Sequence, residues 1–521
     1  MCHLHASPGG YILVHCTHGF NRSGYMAAST LLRLLGDQFA TVDKALAAFA
    51  AARPPGIYKP YYVRHLFRYY HQKLPKDMPL PTAPDWKRGA AADGGGEDDH
   101  EAGDAADAAA AGAVSEHAQH DDVVGEAVSA PEADWVRGFL MDEIMGPDPG
   151  GRPLHFPGSQ PVSLARSNLH LLADRRYWVT WKADGTRFMV VVMRSGTYLV
   201  DRSNNVTRCQ MRWPSPAPPR APGQPPPRSP VGPVHHGTIL DGEMVVDEDL
   251  VAGTRTRRFL AYDMVALHGA SLAGRPWGER WARIAQFVEE PRRFEGQEIG
   301  RGRWALPYDY AAEPFRVRRK TFWPLPAAAT LLHHFIPTMV AHETDGLIFQ
   351  PHDDPYVPNT HRELLKWKFA HMNSVDFRLR VGPPAGGGGA ADPVVGSDAP
   401  PELTLELLEP RGAHQAVMVA LPGARVEFPE GERPEAYAGR IVECAWDGGR
   451  GAWVFMRERR DKALPNARSV YLKVWASITD DIREEELLEK VAAALRAPHY
   501  AADVAEWRKK QSKEGGKAAQ K

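Results

Sequence analysis

The sequence predicts an α/β unit, then an α+β domain, then a β-rich domain. In the first region, one apolar strand at residues 11–15 is followed by helical patterns from Gly24 onward. In the second and third regions, apolar runs of strand length alternate with turn residues. These predicted strands lie at 177–182, 188–194 and 197–201 in the second region and at 403–408, 415–421, 439–446 and 452–457 in the third.

Length and composition divide the chain into five segments. At roughly 150 residues per domain, 521 residues suggest three or four folded units. Residues 89–134 are rich in Ala, Gly, Asp and Glu, so we expect a solvated, disordered linker there. Residues 213–233, with ten prolines, and 381–401 are expected to be surface-loop insertions. The predicted segments are 1–75 for the first unit, 76–134 for the acidic linker, 135–372 for the α+β domain, 373–496 for the β-rich domain with a C-terminal helix, and 497–521 for a basic tail that we expect to be solvated from residue 508.

The charge of the chain is unevenly distributed. Lys and Arg number 63 and Asp and Glu 64, a formal net charge of −1. Residues 93–134 contain 13 acidic side chains, and no Lys or Arg occurs between Arg88 and Arg137. The rest of the chain therefore has 63 basic against 51 acidic side chains, a net charge of +12, which suits a polyanionic ligand.

The cysteines and the hydropathy indicate the compartment. Cys2, Cys16, Cys209 and Cys444 are widely spaced and form no Cys-x-x-Cys pair, which argues against a disulfide framework and favours a reducing compartment. No window approaches 18 uninterrupted apolar residues, and the N-terminus does not resemble a secretory signal. We therefore expect no membrane association and a cytosolic or nuclear location.

A Cys-x5-Arg loop is the first motif with recognisable chemistry. Residues 15–24, His-Cys-Thr-His-Gly-Phe-Asn-Arg-Ser-Gly, follow the predicted strand and open a helix. The N–H groups of such a loop can wrap a phosphate beside the positive helix N-terminus. The same field favours the thiolate, so Cys16 could attack phosphorus while Arg22 holds the phosphate oxygens. A buried structural cysteine followed by an unrelated arginine is the alternative.

This loop resembles the signature of cysteine phosphatases, in particular the RNA 5′-triphosphatase half of metazoan- and plant-type mRNA capping enzymes. Residues 52–59, Ala-Arg-Pro-Pro-Gly-Ile-Tyr-Lys, extend the resemblance, which implies a partial cysteine-phosphatase fold. In that family several strands precede the signature, whereas fifteen residues precede Cys16 here, so we expect a shortened domain. The sequence leaves open whether this half is active.

Six charged motifs follow in the second and third regions. The first, Lys-Ala-Asp-Gly-Thr-Arg at 182–187, lies between two apolar runs and by itself is compatible with a hairpin turn. The others also place charged residues at or beside the ends of apolar strands, where side chains can converge on one cleft. They occupy residues 241–243, 258–263, 344–349, 365–368 and 453–462.

The six motifs resemble those of covalent nucleotidyltransferases, the superfamily of capping enzymes and polynucleotide ligases. Residues 156–163 and 373–377 are similar to metazoan and plant capping guanylyltransferases. The resemblance covers most of 135–495 and implies a nucleotidyltransferase domain followed by an OB-fold lid. The implied activity is mRNA 5′ capping, in which GMP passes from GTP through a lysyl-N–GMP intermediate to the 5′-diphosphate end of RNA.

The residue types predict how the motifs divide the chemistry. The amine of Lys182 must be neutral to attack the α-phosphorus of GTP. Lys366, Lys368 and a divalent cation, Mg²⁺ or Mn²⁺, would balance the charge on the phosphates. Asp345 and Glu243 are the hard oxygen donors available for that metal or for the ribose hydroxyls.

The resemblance implies further contacts with the nucleotide. Arg187 and Glu243 would contact the ribose, and Arg202 the phosphate side of the nucleotide. Tyr262 would stack on guanine and Lys320 would hydrogen-bond its edge, although Tyr262 can equally be a core residue.

The resemblance also assigns the last motif to the lid. Arg457, Asp461 and Lys462 would orient the β,γ-phosphates when the OB-fold closes, and the lid must reopen to admit RNA. A solvated charged turn is the alternative for these residues.

The family resemblance implies partners and a location. The partners are the 5′-triphosphate and 5′-diphosphate ends of nascent pre-mRNA and the phosphorylated C-terminal repeat tail of RNA polymerase II, and the location is the nucleus. An ATP-dependent polynucleotide ligase shares the scaffold, but ligases usually carry Glu where Asp345 stands. A non-catalytic scaffold for RNA or polymerase would be expected to lose Lys182 first, and Lys182 is present.

Overall fold

The computed structural model describes the chain in eleven stretches, to which every structural statement below refers. They are residues 13–35, 38–82, 84, 124–148, 154–217, 231–304, 306–369, 372–384, 401–411, 416–460 and 462–518. Most of the predicted linker, large parts of both loop insertions, Cys2 and Asp461 lie outside them.

The helices and strands are numbered in chain order. The helices are α1 (Asn21–Leu34), α2 (Val42–Ala52), α3 (Pro60–Tyr69), α4 (Ala130–Met145), α5 (Leu171–Asp174), α6 (Trp277–Ile284), α7 (Glu290–Gly300), α8 (Ala328–Thr330), α9 (Ile336–Met339), α10 (Arg468–Asp480), α11 (Glu484–Ala494) and α12 (Ala501–Ala518). The strands are β1 (Glu126–Ala127), β2 (Gln160–Ser163), β3 (Tyr177–Ala183), β4 (Thr186–Met193), β5 (Gly196–Asp201), β6 (Val206–Cys209), β7 (Pro214–Pro216), β8 (Val231–Val234), β9 (Thr238–Asp249), β10 (Thr254–Leu267), β11 (Ala270–Ser271), β12 (Arg316–Arg319), β13 (Trp323–Pro324), β14 (Thr344–Pro351), β15 (Thr360–Lys368), β16 (Ser374–Pro384), β17 (Pro401–Pro410), β18 (Ala416–Ala420), β19 (Val426–Glu427), β20 (Ile441–Asp447) and β21 (Ala452–Glu458). Within the described ranges, no helix combines the length and the apolar character needed to cross a membrane.

The N-terminal unit packs α1, α2 and α3 around a small apolar core. Helix α3 begins with Pro60, whose fixed φ suits a first helical position. Val63 and Leu66 recur at helical spacing and are buried with Ala28 of α1 and Leu46 of α2.

The strand predicted at residues 11–15 does not form in the described part of the chain. Residues 13–16 have no regular secondary structure, and 11–12 lie outside the described residues. A strand needs a hydrogen-bonded neighbour, and the described residues between 13 and 82 contain no strand. The predicted α/β character of this unit is therefore corrected to three helices.

The second folded region begins before the predicted boundary at residue 134. Val124 is buried, and Glu126–Ala127 pairs with β6 at the edge of a sheet. Glu126 and Glu132 form ion pairs with Arg208 at 3.6 and 3.1 Å. These carboxylates belong to the folded domain, because Arg208 of that domain balances their charges. The prediction of a disordered linker was therefore wrong for residues 124–134.

The first large sheet has the strand order β1-β6-β5-β4-β9-β10-β11, with β12 parallel beside β10. Its central strand β4 is buried on both faces. Met189 and Val191 pack with residues of α4, whereas Val190 and Val192 pack with residues of α6. This two-sided burial explains the uninterrupted apolar run in β4.

The second sheet carries the strand predicted to bear the nucleophile. Its order is β13-β3-β14-β15-β2, with β3 and β14 antiparallel. Tyr177, Val179 and Trp181 point to one side of β3 and are buried in a core that includes Leu487 and Val491 of α11. The alternate residues of β3, including Lys182, therefore lie on the opposite face.

The β-rich domain is a six-stranded sheet with the order β18-β17-β16-β20-β21-β19. Helix α10 covers it, with Tyr471 and Trp475 packed against Trp453. The strands predicted between 403 and 457 all form here, with ends shifted by a few residues.

The C-terminal helices return to the second region. Tyr500 is fully buried, and Asp503 of α12 forms an ion pair with Arg176 at 2.7 Å. The first part of the segment predicted as a basic tail therefore packs onto the second region. Helix α11, predicted as the end of the β-rich domain, contributes to the core beneath β3.

Candidate active site

The register of the second sheet brings three lysines from two motifs together. Gly346 of β14 pairs with Lys182 on one side and with Lys368 of β15 on the other. Ile348, two residues further along β14, pairs with Lys366. Because side chains alternate along a strand, Lys366 and Lys368 lie on one face of β15.

Gly346 allows these strands to approach closely. A Cβ atom at this position would lie 2.0 Å from the carbonyl oxygen of Trp367, and the residue has a φ of +150°. A side chain here would push β15 away from β14, so the spacing of the three lysines depends on this glycine.

Asp345 is the acidic centre of the lysine cluster. Nζ of Lys182 donates to its two carboxylate oxygens at 2.7 and 2.8 Å, and Nζ of Lys368 lies 2.7 Å from Oδ2. Burial would raise the pKa of Asp345, but the ammonium groups of Lys182 and Lys368 lower it below its usual value. Asp345 is therefore an anion that holds both lysines in place.

The pKa values of two neighbouring lysines are lowered. Burial, reinforced by the nearby ammonium of Lys182, lowers the pKa of Lys366 to about 8. Burial also lowers the pKa of Lys320 to about 8, although the carboxyl of Glu243 opposes this shift. Both side chains can therefore lose or gain a proton near neutral pH.

Glu243 lies on β9 opposite Arg187 of β4. Burial raises the pKa of its carboxyl, and the positive charges of Arg202, Lys320 and Lys182 oppose that rise. Arg202 itself lies in the exposed turn after β5. The residues predicted to contact the ribose and phosphates thus surround a single carboxyl group.

Arg187 and Tyr262 form one wall beside this carboxyl. The Arg187 guanidinium is 5.8 Å from the centre of the Tyr262 ring and 3% exposed. Its Nε and Nη2 donate to Asp241 at 2.9 and 2.6 Å, and its Nη1 donates to the carbonyl of Ser159 at 2.6 Å. These hydrogen bonds fix the position of the Arg187 side chain beside Tyr262. A contact between Arg187 and a ribose would use the N–H groups that these bonds leave over.

The residues predicted on the lid differ in their distance from the second region. Arg457 of β21 pairs with Glu443 at 2.8 Å and lines a cleft together with Asp184 and His342. Lys462 pairs with Asp376 inside the β-rich domain. Asp461 lies outside the described residues. The structure thus brings Arg457 to the second region but not Lys462.

The Cys16 loop forms a separate site at the start of α1. The backbone N–H of Gly19 donates to Sγ of Cys16 at 3.3 Å, and the Ser23 hydroxyl lies 3.4 Å from the sulfur. Burial would raise the pKa of Cys16, but the hydrogen bonds from Ser23 and the loop backbone lower it from 9.0 to about 6. A thiolate is thereby favoured at neutral pH.

The remainder of this loop is anchored to the 52–59 segment. Oδ1 of Asn21 accepts from the N–H groups of Tyr58 and Lys59 at 3.0 and 3.1 Å. Arg22 is exposed, and its Nη2 donates to the hydroxyl of Thr17 at 3.1 Å. The two sequence motifs of the N-terminal unit therefore meet at one point.

Three residues that adjoin predicted site residues were not themselves predicted as site residues. Asp241 lies two positions before Glu243 on β9, so the alternation of a strand could have indicated it. Trp181 directly precedes Lys182, and His342 accepts a hydrogen bond from its Nε1 at 2.9 Å. No local sequence pattern indicates His342, because it is 161 residues from Trp181.

The comparisons with known proteins identify the family of the chain. Residues 131–370 match the family described as mRNA capping enzyme, catalytic domain, and 372–488 match mRNA capping enzyme, C-terminal domain. An mRNA-capping enzyme of Danio rerio is 34% identical over 513 residues, covering 93% of this chain and 75% of that protein. The Mus musculus mRNA-capping enzyme is 32% identical, covering 94% of this chain and 76% of its own length. The mRNA-capping enzyme subunit alpha of Neurospora crassa is 30% identical over 66% of this chain and 86% of its own. The chain, a mixed α/β nucleotidyltransferase with a β-rich C-terminal domain, therefore belongs to the mRNA-capping enzyme family.

Proposed function

We propose that Lys182 is the residue through which this mRNA guanylyltransferase carries GMP from GTP to the 5′-diphosphate end of RNA. The ion pair between Lys182 and Asp345, flanked by Lys368, is the observation that supports it. Nζ attacks the α-phosphorus: an N–P bond forms, the bond to pyrophosphate breaks and a proton leaves Nζ. A terminal phosphate oxygen of the RNA then attacks the same phosphorus, the N–P bond breaks and the amine regains a proton.

The lysines around Asp345 would orient the amine and balance the phosphates. Asp345 holds Nζ of Lys182 at 2.7 Å, so the nucleophile is positioned before GTP binds. Lys366 and Lys368 lie beside it, where their charges can stabilise the negative charge that develops on the phosphates.

The wall formed by Arg187 and Tyr262 would receive the nucleoside. Tyr262 would stack on guanine, and Lys320, which is 4% exposed, would hydrogen-bond the edge of the base. Arg187 and Glu243 would contact the ribose. The support is that Arg187, Glu243 and Tyr262 lie on β4, β9 and β10, neighbouring strands of the first sheet, and that the N–H of Lys320 donates to the carbonyl of Ala261 on β10.

Arg202 and the β-rich domain would complete the phosphate site. We propose that this domain is an OB-fold lid whose closure brings Arg457, Asp461 and Lys462 to the β,γ-phosphates. Arg457 already lines a cleft with Asp184, two residues after the nucleophile. Lys462 would have to leave Asp376 for this contact.

A divalent cation, Mg²⁺ or Mn²⁺, would fit beside Asp345 and Glu243. A carboxylate has about four acceptor positions, and three N–H contacts occupy those of Asp345 in part. Carboxylate oxygens are the ligands that such hard cations prefer. When bound, the metal would supply positive charge to the phosphates of GTP.

The N-terminal unit would act as an RNA 5′-triphosphatase. Sγ of Cys16 would attack the terminal phosphorus, and the bond to the β-phosphate oxygen would break. Water would then release phosphate from the cysteine, and Arg22 would hold the transferred oxygens. The lowered pKa of Cys16 supports this assignment.

The partners and location follow from the family. The chain acts on RNA 5′ ends, and we propose that these are nascent pre-mRNA ends in the nucleus. Binding to the phosphorylated C-terminal repeat tail of RNA polymerase II is a proposal that rests on family membership.

Lys182→Ala tests the assignment of the nucleophile. With α-labelled GTP and Mg²⁺, the unsubstituted chain should give a labelled protein band, and intact-mass spectrometry should show one added GMP. Lys182→Ala should give neither, because the variant lacks the amine that would form the N–P bond.

Lys490→Ala, which removes an exposed lysine of α11, is the matched control and should label normally. A labelled band that persists in Lys182→Ala would disprove the assignment. Labelling by α-labelled ATP instead of GTP would favour a ligase.

A further inference from the structure

A chain of buried hydrogen bonds leads from β9 to the back of the nucleotide pocket. Oδ1 of Asp247 lies 2.8 Å from Nδ1 of His342, and Nε2 of His342 lies 2.9 Å from Nε1 of Trp181. Trp181 is 3% exposed, and the side chain of His342 is 6% exposed. The chain therefore lies largely away from solvent.

The donors and acceptors fix the tautomer of His342. The indole Nε1–H of Trp181 can only donate, so Nε2 of His342 must accept and carries no proton. Nδ1 then bears the proton and donates to Asp247. Asp247 is itself held by Arg258, whose Nε donates to Oδ2 at 2.6 Å.

The indole of Trp181 connects this chain to the base pocket. Nζ of Lys320 lies 5.0 Å from the centre of the Trp181 ring, within the range of a cation–π contact. The ring can offer its face to Lys320 only if its rotation is fixed, and the hydrogen bond to His342 helps to fix it together with the packing against Trp323 and Phe335. Lys182 follows Trp181 directly, but its amine is oriented by Asp345 on the other face of β3.

We infer that His342 is a positioning residue for base recognition: by accepting the indole N–H of Trp181, it holds the ring that places Lys320. This inference rests on the proposed function, in which Lys320 contacts the guanine edge. It separates two tasks, because His342 acts on recognition of the base whereas Asp345 acts on the nucleophile.

Two substitutions of similar size separate the two hydrogen bonds of His342. The amide of His342→Asn can occupy the position of Nδ1 and donate to Asp247, but it cannot reach Trp181. The longer His342→Gln can place its amide oxygen at the position of Nε2 and accept from Trp181. Rescue by Gln and not by Asn is therefore specific to the indole contact.

The readout is formation of the GMP adduct as a function of GTP and of ATP concentration. For His342→Asn we expect the KM for GTP to rise roughly five- to tenfold, as expected for a lost contact in a buried site. The maximal rate should stay within about twofold, because Asp345 still orients Lys182. The preference for GTP over ATP should fall by the same factor as the KM rises, and His342→Gln should restore most of it.

Trp181→Phe provides a second test, because it keeps an aromatic ring at this position and removes the indole N–H. Adding His342→Asn to Trp181→Phe should cause no further rise in KM if the two residues act through one bond. An unchanged KM in His342→Asn, equal losses in both His342 variants, or additive effects in the double variant would overturn the inference. Absence of any adduct on Lys182 in the unsubstituted chain would instead disprove the proposed function.

Discussion

Single residues set the state of both candidate nucleophiles. Lys182 is oriented by the carboxylate of Asp345. Asp345 is 5% exposed, and removing its cationic partners would lower the stability of the protein by leaving a buried charge unpaired. Cys16 depends on short-range hydrogen bonds from Ser23 and Gly19. The lysine is thus held by a distant part of the chain, whereas the cysteine is held within its own loop.

The pKa of Cys16 predicts the pH dependence of phosphate release from 5′-triphosphate RNA. The thiolate is the reactive form, and its pKa is lowered to about 6. The rate should therefore rise with pH, with a midpoint near that value, and fall as pH drops below it. The measurement is release of γ-labelled phosphate at several pH values.

Ser23→Ala removes one of the hydrogen bonds to the sulfur and should shift that midpoint upward. Cys16→Ser should abolish release while leaving GMP-adduct formation on Lys182 intact. A midpoint near the ordinary thiol value of 9.0 would contradict the argument. Unchanged release in Cys16→Ser would show that the sulfur is not the nucleophile.

At the scale of elements, the pairing of β3, β14 and β15 builds the site. Lys182 and Lys368 are far apart in sequence, and the register places them on either side of Gly346, the residue after Asp345. A shift of one residue would turn the lysines of β15 to the other face of the sheet. The close approach at Gly346 is the point where this register is most sensitive.

Gly346→Ala should disturb the register and the lysine cluster. The added methyl group would lie 2.0 Å from the carbonyl oxygen of Trp367, so the strands must separate. We expect GMP-adduct formation to fall at least about tenfold and the free energy of unfolding to fall by about 1–3 kcal/mol. Adduct kinetics and urea denaturation provide the two measurements.

Gly274→Ala is the matched control, because a Cβ atom there has no neighbour within 4 Å. It should leave both quantities nearly unchanged. Normal adduct formation in Gly346→Ala would mean that the spacing between β14 and β15 does not determine the activity.

At the scale of the whole molecule, the C-terminal helices pack against the domain that carries Lys182. The chain leaves this domain for the β-rich domain and then returns through α11 and α12. The hydroxyl of Tyr500 accepts from the N–H of Tyr177, the first residue of β3, at 2.9 Å and donates to the carbonyl of Arg175 at 2.7 Å. The end of the chain thus fixes the start of the nucleophile strand.

Tyr500→Phe should destabilise the protein although it keeps the ring. It leaves a buried N–H of Tyr177 and a carbonyl of Arg175 without this partner, at a cost of about 1–3 kcal/mol in the free energy of unfolding. Chemical denaturation followed by circular dichroism measures the loss.

Lys509→Ala changes an exposed side chain of α12, the helix that follows Tyr500, and should shift stability by at most about 0.5 kcal/mol. Equal stabilities of Tyr500→Phe and the unsubstituted chain would indicate that α12 does not support β3.

The sequence by itself determined the family, the guanylyltransferase activity and the positions of most strands in the second and third regions. Apolar runs such as β4 could be recognised because strand length and flanking turns are local properties. The motifs around Lys182 and Asp345 could be recognised because their chemistry requires those residue types at those places.

Only the tertiary structure decided which residues meet. It showed no strand at the described residues 13–16, moved the start of the second region to Val124 and placed Tyr500 of the predicted basic tail in a core. It also joined His342 to Trp181. These contacts depend on strand register and on packing between residues more than a hundred positions apart, and no local pattern of side chains contains that information.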